Sequence, residues 1–286
     1  MINQKKYDLA VAYRIYPALS RMPPPVHCDS KYDLAALCLR SFKASLGNLR
    51  VKIWAVLDNC PAEYEALFTE LWPAEDLVLL RCNGIGNQET FAKQLEILTT
   101  QVDADYVYLA EDDYFYLPDK FHLALDLFIK NRDVDFCSLA DHPDLHNHEF
   151  HRHKMQLKVE QGQVWRTANG TTCTFLTRKA TLQETLATFS SYVKIRRWNV
   201  DACMWLSLTK HHVFNLYELM TQPFIFPYRG ASLVFAWYFN WRQILFGRRY
   251  ILFMPVPSLA AHMDAERMPP YVDWMKLFDG SAQKIK

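Results

Sequence analysis

Three consecutive acids, Glu111-Asp112-Asp113, follow directly on the apolar run Tyr106 to Ala110. Carboxylates this close in a partly dry site cannot all ionise unless a cation or protons compensate. A hard divalent ion, Mn²⁺ or Mg²⁺, is the economical answer, because it takes carboxylate oxygens and substrate phosphates and needs few dedicated protein ligands. The plain alternative is a solvated acidic turn leading into Pro118-Asp119. A second carboxylate, Asp201 in Trp198-Asn-Val-Asp-Ala-Cys-Met-Trp205, stands where a helix begins. It suits a general base and equally suits an ordinary helix N-cap. His262 follows the apolar stretch YILFMPVPSLAA; it is a metal ligand if companions join it in space and a structural histidine otherwise. The cluster Asp141-His142, His146, His148, His151 and His153 has no cysteine partner and matches no standard helical pair. It is expected to be a substrate-side loop rather than a zinc site, with His142 nearest the sheet.

These residues need a scaffold, and the first half of the chain supplies its pattern. Short β-branched runs alternate with stretches of helical period, as in βαβ units. Strands are expected at 8–16, 51–57, 77–80, 106–110 and 134–139, and helices through Leu34 to Phe42, 61–72, from Phe91 to Leu98, and 119–130. Ligands of an open parallel sheet bind beyond the carboxyl ends of its strands. Those ends carry Tyr13-Arg14, Asp58-Asn59, the loop Asn83-Gly84-Ile85-Gly86-Asn87, and the acidic triplet. One edge would thus gather groups able to hold a base, a ribose, a diphosphate and a divalent metal. The loop is neither GxGxxG nor a P-loop. After about residue 140 come the histidine cluster, a hairpin around Gly162, the segment Gly170-Thr-Thr-Cys-Thr, and helices near 180–190 and 200–210. We expect one domain, 1–286, with a nucleotide-type half (1–140) and a divergent second half (141–286).

The run YVYLAEDDYFYLP, coming after three βα units, resembles the acidic DxD-type motif of GT-A-fold glycosyltransferases, and the likeness extends over most of the chain. It implies an α/β fold of the GT-A, Rossmann-like kind, a mainly parallel sheet flanked by helices, with an acceptor-binding second half. A nucleotide-sugar donor would be held by Tyr13, Arg14, Asp58, Asn87, Glu111 and Asp112. Asp113, joined by His262, would hold Mn²⁺ or Mg²⁺, and Asp201 would take the proton of a saccharide or lipid-linked acceptor in an inverting transfer. Gly170-Thr171-Thr172 resembles the small-residue strand that faces the acceptor in that family. The motif reads Glu-Asp-Asp rather than Asp-x-Asp, which leaves the division of labour between Asp112 and Asp113 open. Rival readings are a retaining mechanism, a sugar-phosphate nucleotidyltransferase, and a carbohydrate- or nucleotide-binding protein without catalysis. A nucleotidyltransferase normally carries a Gly-rich basic loop where this chain has Tyr13-Arg14-Ile15-Tyr16-Pro17.

Composition narrows the setting. The 286 residues are 50% hydrophobic and 22% charged, which excludes wholesale disorder, collagen and coiled coil. A net charge of +1 lacks the basic field of nucleic-acid binders, so no nucleic-acid partner is expected. Seven cysteines without a CxxC pair suggest a reducing compartment, and the N-terminus shows no signal-peptide pattern, so a cytoplasmic protein is expected. No window reaches the roughly 18–20 apolar residues of a spanning helix. Between 192 and 250, however, eight basic residues face two acids, and 15 of the 41 aromatic residues are found there. That mixture suits peripheral contact with the inner face of a membrane. The alternative is that Phe235, Trp237, Phe239 and Leu245 are simply core.

Overall fold

The computed structural model describes residues 6–18, 23–26, 28, 30–147, 149–195 and 200–282. The chain begins with β1 (Leu9–Ile15), α1 (Lys31–Ser45), β2 (Val51–Asp58), α2 (Tyr64–Thr69), β3 (Leu77–Cys82), α3 (Asn87–Thr100) and β4 (Tyr106–Glu111). There follow β5 (Tyr114–Tyr116), α4 (Phe121–Lys130), β6 (Phe136–Cys137), α5 (Asp144–Asn147), β7 (Leu157–Glu160), β8 (Gln163–Ala168) and β9 (Phe175–Arg178). Four helices, α6 (Lys179–Val193), α7 (Ala202–Thr209), α8 (Leu216–Ile225) and α9 (Pro227–Phe246), then precede β10 (Leu252–Val256), β11 (Ala260–His262) and α10 (Trp274–Ala282).

The expected α/β architecture is present: a nine-stranded sheet in the order β3-β2-β1-β4-β9-β6-β10-β8-β7, with helices on both faces. Strands β3, β2, β1 and β4 are parallel, and β1 is buried along its whole length, as a central parallel strand covered on both faces must be. Its register sets Arg14 beside Glu111 of β4. Alternation sends Leu9, Val11, Tyr13 and Ile15 to the layer of α1, α2 and α4, while Ala10 and Ala12 face the layer of α3, α6, α7 and α9.

One expectation is corrected, and one feature is new. The strand foreseen over 134–139 contracts to Phe136–Cys137, and β9 enters antiparallel between it and β4, so the expected block of five strands is interrupted. A second, two-stranded sheet pairs β5 with β11 antiparallel, setting His262 opposite Tyr114. Phe115, Ala261 and Met263 of this small sheet pack with Leu34, Leu37 and Cys38 of α1 and with Trp274 and Phe278 of α10. The Phe115 and Phe278 rings meet edge to face at 4.9 Å. The helix that follows the acidic motif is thus not its only neighbour: a segment from the far end of the chain is clamped against it.

Candidate active site

The loop after β3 is shaped by its glycines. Gly84 and Gly86 take φ of +68° and +87°, a left-handed conformation that side chains rarely adopt, and α3 starts at the next residue. The turn aims two backbone N–H groups at the end of β2, where Ile85 and Gly86 donate to the two oxygens of Asp58 at 2.8 and 2.9 Å. Together with Arg14, Lys31, Asn87, Thr90 and the acidic triplet, this loop lines a cavity of about 470 Å³ at the carboxyl ends of the parallel strands.

Each acid of the triplet has its own cation. Glu111 is ion-paired with Arg14 and accepts from the Thr174 hydroxyl at 2.7 Å. Asp112 meets Lys31 at 2.9 Å and accepts the Tyr16 N–H at 3.0 Å. Asp113 Oδ2 lies 3.2 Å from His262 Nε2. Burial pushes the Asp112 carboxyl up, against the pull of Lys31 and helped by the charge of Asp113. Burial would raise Asp113 as well, but His262 and Lys31 outweigh it and hold that carboxyl low. His262 moves the other way: burial disfavours its charge, yet Asp113 and Glu111 raise it to about 9. The repulsion that suggested a metal is therefore relieved by the chain's own side chains, and charge balance alone does not require an ion.

What distinguishes Asp113 is its other oxygen. Oδ1 is buried and accepts no hydrogen bond, a cost that native structures seldom leave uncompensated. Among the described residues no group of three or more His, Cys, Asp or Glu side chains converges on one point. A two-residue site still fits a hard ion that completes its shell with substrate phosphate and water. Asp112, already engaged by Lys31 and a backbone amide, has less to offer.

A second cavity, about 560 Å³, is walled by Tyr114, Gly170 to Thr172, Asp201, Trp205, Tyr228 and His262. Because Asp113 lines the first cavity and its partner His262 the second, the pair stands at the seam between them. Asp201 stands at the N-cap position of α7 but makes no side-chain capping bond. It accepts instead from the Tyr228 hydroxyl at 2.9 Å. Burial, opposed by that hydrogen bond and assisted by the charge of Glu111, pushes its carboxyl up to about 6. Such a value suits a base that is charged near neutrality yet still able to receive a proton.

The structure thus brings Arg14, Asp58, Asn87, Glu111, Asp112 and Asp113 to one cavity and Asp201 and His262 to its neighbour. Tyr13 is a correction: it is fully buried beside Phe42 and Phe68, on the opposite face of β1 from Arg14, and lines neither of these two cavities. Asp58 organises the loop through both oxygens rather than presenting them freely to a ligand. Gly170-Thr171-Thr172 lines the second cavity as irregular backbone, not as a strand. His142 and His151 reach that cavity, while His146 bonds Asp141 at 2.6 Å and His153 the Thr167 hydroxyl at 3.3 Å. His148, Arg196 and Arg197 lie outside the described residues. Lys31, Thr174 and Tyr228 were missed; each is an ordinary residue of its element until the fold sets it beside an acid.

No family model and no curated protein matches the chain. Among solved structures, it is similar to the galactosyltransferase LgtC in complex with donor and acceptor sugar analogs, with 12% identity, 96% of this chain and 95% of that one covered, and a TM-score of 0.47. TarS 1–349 of S. aureus in complex with UDP is similar at 10% identity over 70% of this chain and 54% of its own, with a TM-score of 0.44. CMP:2-keto-3-deoxy-manno-octonic acid synthetase complexed with CTP gives 10% identity over 66% and 83%, with a TM-score of 0.39. Likenesses this loose leave the functional reading to the side chains.

Proposed function

We propose that the chain is a divalent-metal-dependent glycosyltransferase that moves a sugar from a nucleotide-sugar donor to an acceptor hydroxyl with inversion. The observation that carries this is the Asp113–His262 pair at the seam of two cavities, with an unsatisfied carboxylate oxygen on one side and an uncapped carboxylate, Asp201, in the wall of the other.

The donor's nucleotide and diphosphate occupy the first cavity, ordered by Arg14, Asn87 and the loop that Asp58 holds. Asp113 and His262, the latter without its Nε2 proton, would hold Mn²⁺ or Mg²⁺, which when bound would supply charge stabilisation to the departing diphosphate. In the second cavity, Asp201 accepts the hydrogen bond of the acceptor hydroxyl and takes its proton as the oxygen bonds to the anomeric carbon. The bond from that carbon to the phosphate oxygen breaks, and its electron pair leaves with the nucleoside diphosphate. Tyr228, donating to Oδ1, leaves Oδ2 of Asp201 for the acceptor.

The test is calorimetry with a panel of nucleoside diphosphates (UDP, GDP, ADP, CDP), with and without Mn²⁺. One of them should bind only with the ion, and Asp113→Asn should abolish that binding. Unchanged affinity in the variant, or release of pyrophosphate from a nucleoside triphosphate and a sugar phosphate, would overturn the reading.

A further inference from the structure

The segment 192–250 separates into two surfaces. On α9, Leu233, Ala236 and Ile244 are buried, Phe235, Trp237 and Phe239 pack partly against the core, and the Trp237 indole donates to the Val213 carbonyl at 2.9 Å. The inward side is therefore already filled. Val234 and Tyr238, one turn apart before the non-helical Asn240 that kinks α9, and Trp241 and Leu245, one turn apart after it, are all exposed. Leu216, Tyr217, Met220 and Phe224 form a stripe on α8, where Leu216 and Met220 are 74% exposed and Phe224 87%. Single exposed apolar residues need no explanation, but their recurrence on two helices that pack against each other does.

Charge indicates what covers them. Both acids of this segment are engaged inside the molecule, Asp201 by Tyr228 and Glu218 by His212 and Asn215. Arg242 is exposed beside the Trp241 ring, its guanidinium 5.3 Å from the ring centre, and exposed Arg249 follows the helix, whereas Arg248 is already paired with Asp135 and Glu184. Exposed aliphatic and aromatic side chains with cations and no free acid are the chemistry of a headgroup boundary over anionic lipid. No helix among the described residues is long and apolar enough to cross a membrane. The face is also continuous with the second cavity, because half-exposed Phe226 and Tyr228, at the junction of α8 and α9, belong to that cavity's wall.

We infer that the α8–α9 face docks on an anionic lipid surface. Docking sets the mouth of the second cavity against that surface, so the acceptor, on the glycosyltransferase reading given above, is lipid-borne.

The experiment is flotation of the full chain with vesicles of phosphatidylcholine mixed with phosphatidylglycerol and with vesicles of phosphatidylcholine alone. The chain should float with the mixed vesicles only. The double variant Leu216→Asp/Phe224→Asp, which touches neither cavity, should lose flotation, and Arg242→Gln should weaken it roughly fivefold. Adding mixed vesicles should slow amide exchange in peptides covering 216–229 and 234–246. No flotation, flotation unchanged in the double variant, slowed exchange confined to other segments, or a dimer that the double variant dissociates would each overturn the inference. Circular dichroism checks that the variants fold. Nucleotide calorimetry reads the first cavity separately, so loss of lipid docking and loss of the glycosyltransferase reading are distinguishable.

Discussion

The two cavities are built on opposite plans. Around the first, at the strand ends of a parallel sheet, charges are answered from within: Glu111 by Arg14, Asp112 by Lys31, and Asp58 by two backbone amides. Around the second, formed by helices and irregular segments, Asp201 accepts from the Tyr228 hydroxyl and leans on the Ala202 amide without a side-chain capping bond, and the wall passes into exposed aromatics. A ligand entering the first meets acids that are already paired, save for the unbonded Oδ1 of Asp113. A ligand entering the second meets a carboxylate with fewer partners. On the reading proposed above, pre-organisation and reactivity lie on different sides of the Asp113–His262 seam.

The comparison can be broken most decisively at Asp201. Asp201→Asn should lower turnover by roughly 10²–10⁴-fold while leaving Mn²⁺-dependent nucleotide binding intact. It should also raise the melting temperature above pH about 6. A carboxyl held near 6 in the folded state, against about 4 unfolded, makes the native state lose ground as pH rises between those values, and asparagine is free of that penalty. A variant less stable than the parent at neutral pH would deny that Asp201 is a strained, reactive group.

Next in size is the clamp that joins the two sides. Phe115→Ala should cost about 3–5 kcal/mol in urea unfolding and weaken Mn²⁺-dependent binding, because it undercuts the small sheet carrying the seam. Smaller still, Lys31→Met strands Asp112 and should cost about 1–3 kcal/mol. Adding Asp112→Asn should recover part of that loss, and a purely additive double mutant would show that the pairing does no structural duty. The finest test is Tyr228→Phe: without that hydroxyl the carboxylate of Asp201 is less favoured. The acid limb of the rate profile should move up by about one pH unit, with the plateau rate at high pH kept.

Much of the first cavity is legible in the sequence, because strand ends in a βα pattern announce themselves through the residues that interrupt an apolar run. Asp58, Asn87 and Glu111 to Asp113 are found that way. Tyr13 misleads for a physical reason: in a strand buried on both faces no polar alternation reveals which neighbour points where, and one residue's shift reverses the side. The small sheet is illegible because its strands are three residues each, too short for any periodicity, and its pairing depends on the packing of α1 and α10. The identity of the acids' partners is hidden likewise. Lys31 is the first residue of an ordinary helix until its position beside Asp112 is known. The aromatic tail divides between the alternatives weighed for it: Phe235, Trp237 and Phe239 are core-facing, whereas Leu245 is exposed.

The ladder between β5 and β11 has a bearing on biosynthesis. Asp113 and His262 are 149 positions apart and are held in place by the same short pairing, extended by the Met263 N–H donating to the Asp113 carbonyl at 2.7 Å. Closing so long a loop carries an entropic cost that no local contact repays. On the ribosome, a nascent chain can form the first four parallel strands and their cavity well before residue 262 is made, but it cannot yet contain the pair. Formation of the pair thereby requires synthesis through His262, and a product truncated before Ala260 would keep the first cavity without the seam.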